Sequence, residues 1–189
     1  MDNIQQPTMN TNSMLFYGFG GHAQVAAGAL SKSQKLVGFF DSTFPSTIPT
    51  DIPYLGNYDP LVLPELQLII TIGDVNTRMR LSGEIKHFFG RIVSERAFCA
   101  PSVELGEGTV VFQHAIIQAR TKVGTHCIVN AGSIIDHDVT IDNFVNIGLG
   151  AIISSNVKIG SNCVIGNGAV ISRNVAIASN SIIPTGAIV

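Results

Sequence analysis

One ionisable constellation stands out in this chain: Asp136-His137-Asp138, an imidazole between two carboxylates, directly after an aliphatic Ile135. An imidazole titrates near neutrality, and a carboxylate on its far nitrogen orients it and raises its basicity. The pattern therefore suits a general base. If Ile135 points into a core, His137 must project from the surface. The competing reading is a solvated turn, the ordinary setting of a surface His flanked by Asp. His87, His114 and His126 have no better claim and are read as surface residues of that kind. No second His or Cys falls at ligand spacing on the same face as His137, so no metal site is expected.

A second constellation lies near the start. Residues 14–17 are apolar and run into Gly18-Phe19-Gly20-Gly21-His22, and residues 23–30 are compatible with a helix. Glycines between a strand and a helix let backbone N–H groups approach a pyrophosphate. A second apolar run, 36–40, ends in Asp41, near the spacing at which an acidic residue takes ribose hydroxyls. A third run, 68–72, is closed by Gly73-Asp74-Val75-Asn76, and 77–88 reads as a helix. The final Gly of a full dinucleotide fingerprint is absent, with Gln24-Val25 in its place, so a tight structural turn remains the alternative. So small a unit has little room for a whole dinucleotide.

Strands alternating with helices, each strand ending in Gly or Asp, describe a small parallel α/β unit of Rossmann type. Such sheets bind ligands beyond the carboxyl ends of their strands. The second half of the chain obeys a different rule. From Leu105 to Val189 every sixth residue is aliphatic without a slip, and a small or β-branched residue precedes each by two, as at Thr109, Ala115, Thr121, Cys127 and Ser133. That is the hexapeptide repeat of a parallel β-helix. Each unit turns one flat face of a prism and points its large and small side chains into a narrow core. Three units make a coil, coils stack at roughly 4.8 Å, and residues eighteen apart lie above one another. Ala119 and Ser155 are then the column neighbours of His137, both small enough to leave a groove beside the imidazole. The division that follows is a polar leader at 1–13, expected to be disordered, an α/β domain at 14–97 and a β-helix at 98–189.

Net charge is −2, 13% of residues are charged, and no run of Lys or Arg occurs, so a nucleic acid or an anionic membrane finds no electrostatic support. Residues 1–13 lack Lys, Arg and an apolar core, unlike a signal peptide. No apolar stretch approaches the eighteen or so residues of a membrane span. Cys127 and Cys163 fill small inward positions two coils apart, roughly 10 Å by the strand spacing and beyond the Cα reach of about 7 Å for a disulfide. They read as core fillers of a protein in a reducing cytoplasm.

Taken in order, GFGGHA (18–23), GFFD (38–41), IITIGDVNTR (69–78) and VNAGSIIDHD (129–138) inside a hexapeptide helix resemble the bacterial sugar O/N-acyltransferases of the NeuD/PglD type. The resemblance runs over nearly the whole chain from Met14. It implies a left-handed β-helix, acetyl-CoA as donor, a homotrimer with active sites between neighbouring β-helices, and a His base backed by an acidic residue. Those roles fall on His137 and Asp138. Asn130 matches a polar residue beside the base, and Gly18, Gly20, Gly21, His22, Asp41 and Gly73 match the nucleotide-sugar site. On the coenzyme side stand Asn146, where the family often carries a second His, Ser155, where it carries glycine, and Gly166. Two departures accompany these: the usual His-Pro before the helix reads Ser94-Glu95-Arg96-Ala97-Phe98, and no Pro-Ala-Lys tail precedes Val189, leaving the coenzyme's adenine end less covered. The expected reaction is acetyl transfer to the amine of a nucleotide-linked amino sugar. The alternatives are O-acetylation of a free sugar such as sialic acid, with a purely structural glycine loop, and a non-catalytic trimeric scaffold.

Overall fold

The structure, a computed structural model, describes residues 10–43 and 51–189. It opens with β1 (Asn10–Tyr17), α1 (Gly21–Ala27), β2 (Lys35–Phe40), β3 (Leu66–Ile70) and α2 (Val75–Glu84). The three strands form one parallel sheet in the order β2-β1-β3. Of the expected leader, 10–13 open β1, and the rest lies outside the described residues. Alternation along β1 gives the sheet two apolar faces: Met14 and Phe16 pack with Ala23 and Ala26 of α1, while Leu15 packs with Leu81 of α2. Both helices start two residues earlier than their apolar patterns. Asp74 accepts the Thr77 N–H at 2.8 Å, which caps α2 at its first turn. α1 stops at Gly28, after which the N–H groups of Ala29 and Leu30 bond three residues back in a tightened last turn.

The rest of the chain is the three-faced parallel β-helix that the repeat requires, left-handed as in the sugar acyltransferases that it resembles. A first face stacks Ile92–Val93, Val110–Val111, Ile128–Val129, Asn146–Ile147, Val164–Ile165 and Ile182–Ile183. A second stacks Phe98–Cys99, Ile116–Ile117, Ile134–Ile135, Ile152–Ile153 and Val170–Ile171. A third stacks Glu104–Leu105, Lys122–Val123, Thr140–Ile141, Lys158–Ile159 and Ala176–Ile177. Every pair is offset by eighteen residues, as Ile134 is from Ile152. The first-face ladder reaches back to Ile92, ahead of Phe98, because Val93 and Cys99 already keep the six-residue spacing. The two inward positions of each unit fill as the repeat predicts: Ile117, Ile141 and Ile153 alternate in the core with Ala115, Val139 and Ala151. Cys127 and Cys163 are buried free thiols, and burial lifts the Cys127 thiol to about 11, so it behaves as an apolar filler.

The outward residues distinguish the three faces. On the first, Ile92, Val110 and Ile128 are buried under the α/β domain in one cluster with Phe16, Phe19 and Phe39. The third is solvated and carries a Lys122–Glu104 ion pair at 3.0 Å. The second carries Phe98, Ile116, Ile134, Ile152 and Val170 in one column, with Phe98 at 53%, Ile134 at 39% and Ile152 at 40% exposure. Scattered surface aliphatics need no explanation, but five apolar residues in register form a partly exposed stripe that no element of the described residues covers. Among the described residues no helix is long and apolar enough to cross a membrane.

Candidate active site

His137 sits on the corner between the second and third faces, at the first position of a two-residue turn. Its partner Asp138 takes the second position with φ +60°, a left-handed conformation that Asp tolerates better than most residues. Ile135 is buried and His137 is 45% exposed at the side chain, so the imidazole projects from the prism as its register demands. Its Nδ1 lies 2.6 Å from Asp138 Oδ2, and its backbone N–H donates to Asp136 Oδ1 at 2.8 Å. Asp138 is also gripped by Arg120, with Nε to Oδ1 at 2.6 Å and Nη2 to Oδ2 at 2.7 Å. These two hydrogen bonds, Arg120 first and His137 second, hold the Asp138 carboxyl well below the usual carboxylate range. An ionised carboxylate only accepts, so the Nδ1 of a neutral His137 must carry the proton. Nε2 is left with its lone pair turned outward. Its nearest acidic atom, Asp136 Oδ1, is 4.0 Å away, too far for a hydrogen bond. The geometry is that of a base with an oriented ring.

The nucleotide-loop residues gather at the carboxyl edge of the sheet. Gly18 has φ +90°, and a Cβ there would meet the Ile72 side chain at 2.9 Å, so this position needs glycine. Its carbonyl accepts the Thr71 hydroxyl at 2.6 Å. Gly20 and Gly21 have ordinary φ and nothing within 4 Å of an added Cβ. They border open space, and no side chain caps the first turn of α1. Asp41 accepts the Phe19 N–H at 2.8 Å and the Thr43 N–H at 3.1 Å, bracing the loop with oxygens expected to face a ribose. His22 lies against Phe112 of the prism, and burial, then the charge of Arg78, lowers it to about 4, so it is neutral at physiological pH.

Arg78 was visible only as the last letter of a motif, yet it joins the two halves of the molecule. It is 1% exposed. Nε donates to the His126 carbonyl at 2.9 Å, Nη1 to the carbonyls of Ile72 and Gly73 at 2.9 and 3.0 Å, and Nη2 to Asn146 Oδ1 at 2.6 Å. None of these partners is a carboxylate. Burial lowers the guanidinium to about 10, which still leaves it charged at neutral pH. Asn146 completes the junction by donating Nδ2 to the Gly73 carbonyl at 2.8 Å. Above this junction, a groove of about 500 Å³ opens between Gly73, Asp74 and Asn76 on one side and Asn146, Asn162 and Asn180 on the other.

Two residues expected on the coenzyme side are engaged or enclosed by the fold, and two histidines stand differently from their sequence reading. The Asn146 amide, expected toward the coenzyme, is engaged by the α/β domain through both its atoms. Ser155 lies above His137 as expected but is 6% exposed, so it offers main chain rather than a free hydroxyl. His87 and His126 are buried and not surface residues. His87 bridges the Tyr58 hydroxyl and the Val62 carbonyl, and His126 stacks on Phe144 with Phe89 at its edge. Asn130, on the corner after the first face, donates Nδ2 to the Ile147 carbonyl at 2.8 Å, stitching its coil to the next. A Cβ on Gly166 would run into the backbone of Pro184 and Thr185, so coil stacking alone demands glycine there. Arg120 escaped the sequence reading altogether; adding eighteen to it gives Asp138, a sum that finds it.

A prism corner lies opposite one face. The His137 corner is opposite the first face, where the α/β domain docks. Within one chain, the glycine loop and the imidazole are therefore on opposite sides of the β-helix.

Residues 13–85 match the family described as the PglD N-terminal domain. Among solved structures, the chain is similar to a mutant of perosamine N-acetyltransferase from Caulobacter crescentus in complex with CoA and GDP-perosamine, with 26% identity over 96% of this chain and 90% of that one and a TM-score of 0.87. It is similar to the acetyltransferase domain of PglB from Neisseria gonorrhoeae in complex with acetyl coenzyme A, with 26% identity over 95% and 91% and a TM-score of 0.85. WeeI from Acinetobacter baumannii shares the fold at 21% identity over 93% and 94%, with a TM-score of 0.66. No curated protein matches the sequence.

Proposed function

We propose that this chain, an acyltransferase of the NeuD/PglD type, moves the acetyl group of acetyl-CoA onto the amine of a nucleotide-linked amino sugar, with His137 as general base. The observation that carries the reading is the oriented imidazole: Nδ1 is committed to Asp138 and Nε2 is free at an exposed corner. The amine nitrogen attacks the thioester carbonyl as Nε2 takes its proton. A C–N bond forms, the C–S bond breaks, and the proton passes to the departing coenzyme sulfur. The main-chain N–H of Ser155 is the candidate donor to the oxyanion, since those of Ser154 and Asn156 bond the Ile171 and His137 carbonyls. The nucleotide rests at Gly18, Gly20, Gly21, His22, Asp41 and Gly73, with Asn130, Asn146, Ser155 and Gly166 as the remaining candidate contacts. Support for both ligands comes from the relatives, which are described with CoA, acetyl coenzyme A or GDP-perosamine bound. The free thiols fit a cytoplasmic location.

The active unit on this reading is a homotrimer. A sugar held at the first face of one prism cannot reach the corner opposite that face, whereas the His137 corner of a neighbour is available. The partly exposed apolar stripe of the second face borders that same corner, and a heterologous contact through it closes into a ring. Sedimentation should show a trimer. Ile134→Asp with Ile152→Asp should give folded monomers that have lost acetyl transfer; a monomer with full activity would sink the shared site.

Ligand choice has its own test. Thermal shift with acetyl-CoA, UDP and GDP should raise the midpoint with acetyl-CoA and with one nucleotide, since ligand at a hundred times its Kd adds about 2.7 kcal/mol. A response to acetyl-CoA alone, with acetyl transfer to free sialic acid, would indicate the O-acetyltransferase. No response to any of the three would indicate a scaffold.

A further inference from the structure

We propose that Arg120 is a positioning residue of this reaction: its guanidinium locks the Asp138 carboxylate against His137 and places a cation on the far side of the carboxylate that orients the base. The proposal rests on the general-base reading and adds a third member to it.

The corner column supplies the geometry. Arg120 and Asp138 occupy the same turn position on successive coils, both left-handed at φ +59° and +60°, so their side chains leave the prism in parallel. The Arg120 N–H is itself held by Ser102 Oγ at 2.9 Å, one coil earlier. Two parallel N–H···O bonds fix the plane of the carboxylate. That matters because Oδ2 is shared: it accepts from Arg120 Nη2 at 2.7 Å and faces His137 Nδ1 at 2.6 Å. A carboxylate free to rotate would let the ring turn with it.

The second effect is electrostatic. The guanidinium sets a positive charge on the far side of the carboxylate that the ring faces, so exchanging it for a neutral group changes the field at the ring. The other charges near the ring are Asp136 on its own turn, 4.0 Å from Nε2, and Arg173, two coils further along the His137 column. Ala119 and Ser155, its immediate column neighbours, carry no charge, and Lys122 on the adjoining third face is paired with Glu104. Arg120 is thus the cation coupled to the ring through a single carboxylate.

A purely structural ion pair and a positioning residue differ in their pH behaviour. The test compares wild type, Arg120→Gln and Arg120→Lys by the pH profile of kcat/KM and by 15N NMR titration of the His137 ring, a measurement that needs no turnover. In Arg120→Gln the acid limb and the ring's titration midpoint should both move up by about half a pH unit or more, and the plateau above the limb should fall several-fold. Arg120→Lys should restore the limb, because charge is kept, but not the plateau, because the fork is lost. An unmoved limb and midpoint in Arg120→Gln, with or without a loss of thermal stability or plateau rate, overturns the proposal. If His137→Ala retained wild-type turnover, the general-base reading would fail, and the NMR midpoint would still decide whether Arg120 tunes the ring.

Discussion

His137→Ala lowers kcat/KM for acetyl transfer by two to four decades while leaving the melting temperature and acetyl-CoA affinity near those of wild type. The magnitude is that of proton transfer by a positioned base, roughly 10²–10⁴-fold. The stability half follows from register: the ring projects from the corner, and the core beneath it, Ile135 and Val139, keeps every contact. The loss should fall on kcat, because the base acts on the attacking amine and contributes little to holding either substrate. Steady-state kinetics with a coenzyme-release assay, alongside calorimetry of acetyl-CoA binding, measures both halves. A loss below about threefold would return His137 to a solvated turn.

Arg78→Met produces the largest loss of stability expected from any single exchange at the domain junction, about 3–5 kcal/mol. The methionine fills much of the volume, so a cavity contributes little. What is lost is four donated hydrogen bonds, which strands the carbonyls of Ile72 and His126 and the Asn146 side-chain oxygen, while the Gly73 carbonyl keeps its bond from Asn146 Nδ2. Each buried acceptor left unpaired costs about 1–3 kcal/mol. Relief of the buried charge offsets part of that sum, which is why the net is set at the level of a broken buried ion pair. At about 2–4 °C per kcal/mol for a chain of this size, the melting midpoint should drop by roughly 10 °C, measured at fixed protein concentration because assembly also stabilises. Arg78→Lys should recover only a part, since an ammonium cannot span acceptors on three segments. A midpoint within about 2 °C of wild type in Arg78→Met would show that the junction is held by Phe16, Phe19, Phe39 and Phe112 alone.

The two predictions also mark where the sequence was readable. The β-helix was legible because its rule is local and periodic: a side chain's direction is fixed by its place in a six-residue unit, whatever lies far away. His137 was legible for the same reason, its acidic partner being the next residue. Arg120 sits on an equally regular column, but its contact appears only between coils, so a search along neighbouring letters passes it by. Arg78 gave no signal of its own. On an isolated α2 it is one of several polar residues among Asn76, Arg80 and Glu84; it is buried because the start of α2 docks on the two successive coils that carry His126 and Asn146, and nothing in the local pattern encodes that docking. The same docking took His126 away from its surface reading and gave the Asn146 amide partners in the α/β domain. Distances between elements that are each predictable were the part the pattern could not carry.

The unbroken eighteen-residue offset between paired strands has a consequence for how such a chain can change in length. Removing or duplicating one full coil beyond His137 leaves every column intact: aliphatic still follows aliphatic in the core, and glycine still meets the backbone it must clear. Removing a single residue from the same stretch turns each later aliphatic side chain out to water and each polar one inward. Length in this half of the protein is therefore counted in whole turns. A lineage can lengthen or shorten the wall beside the imidazole by steps of roughly 4.8 Å, as with a stack of identical washers, without disturbing the His137 corner.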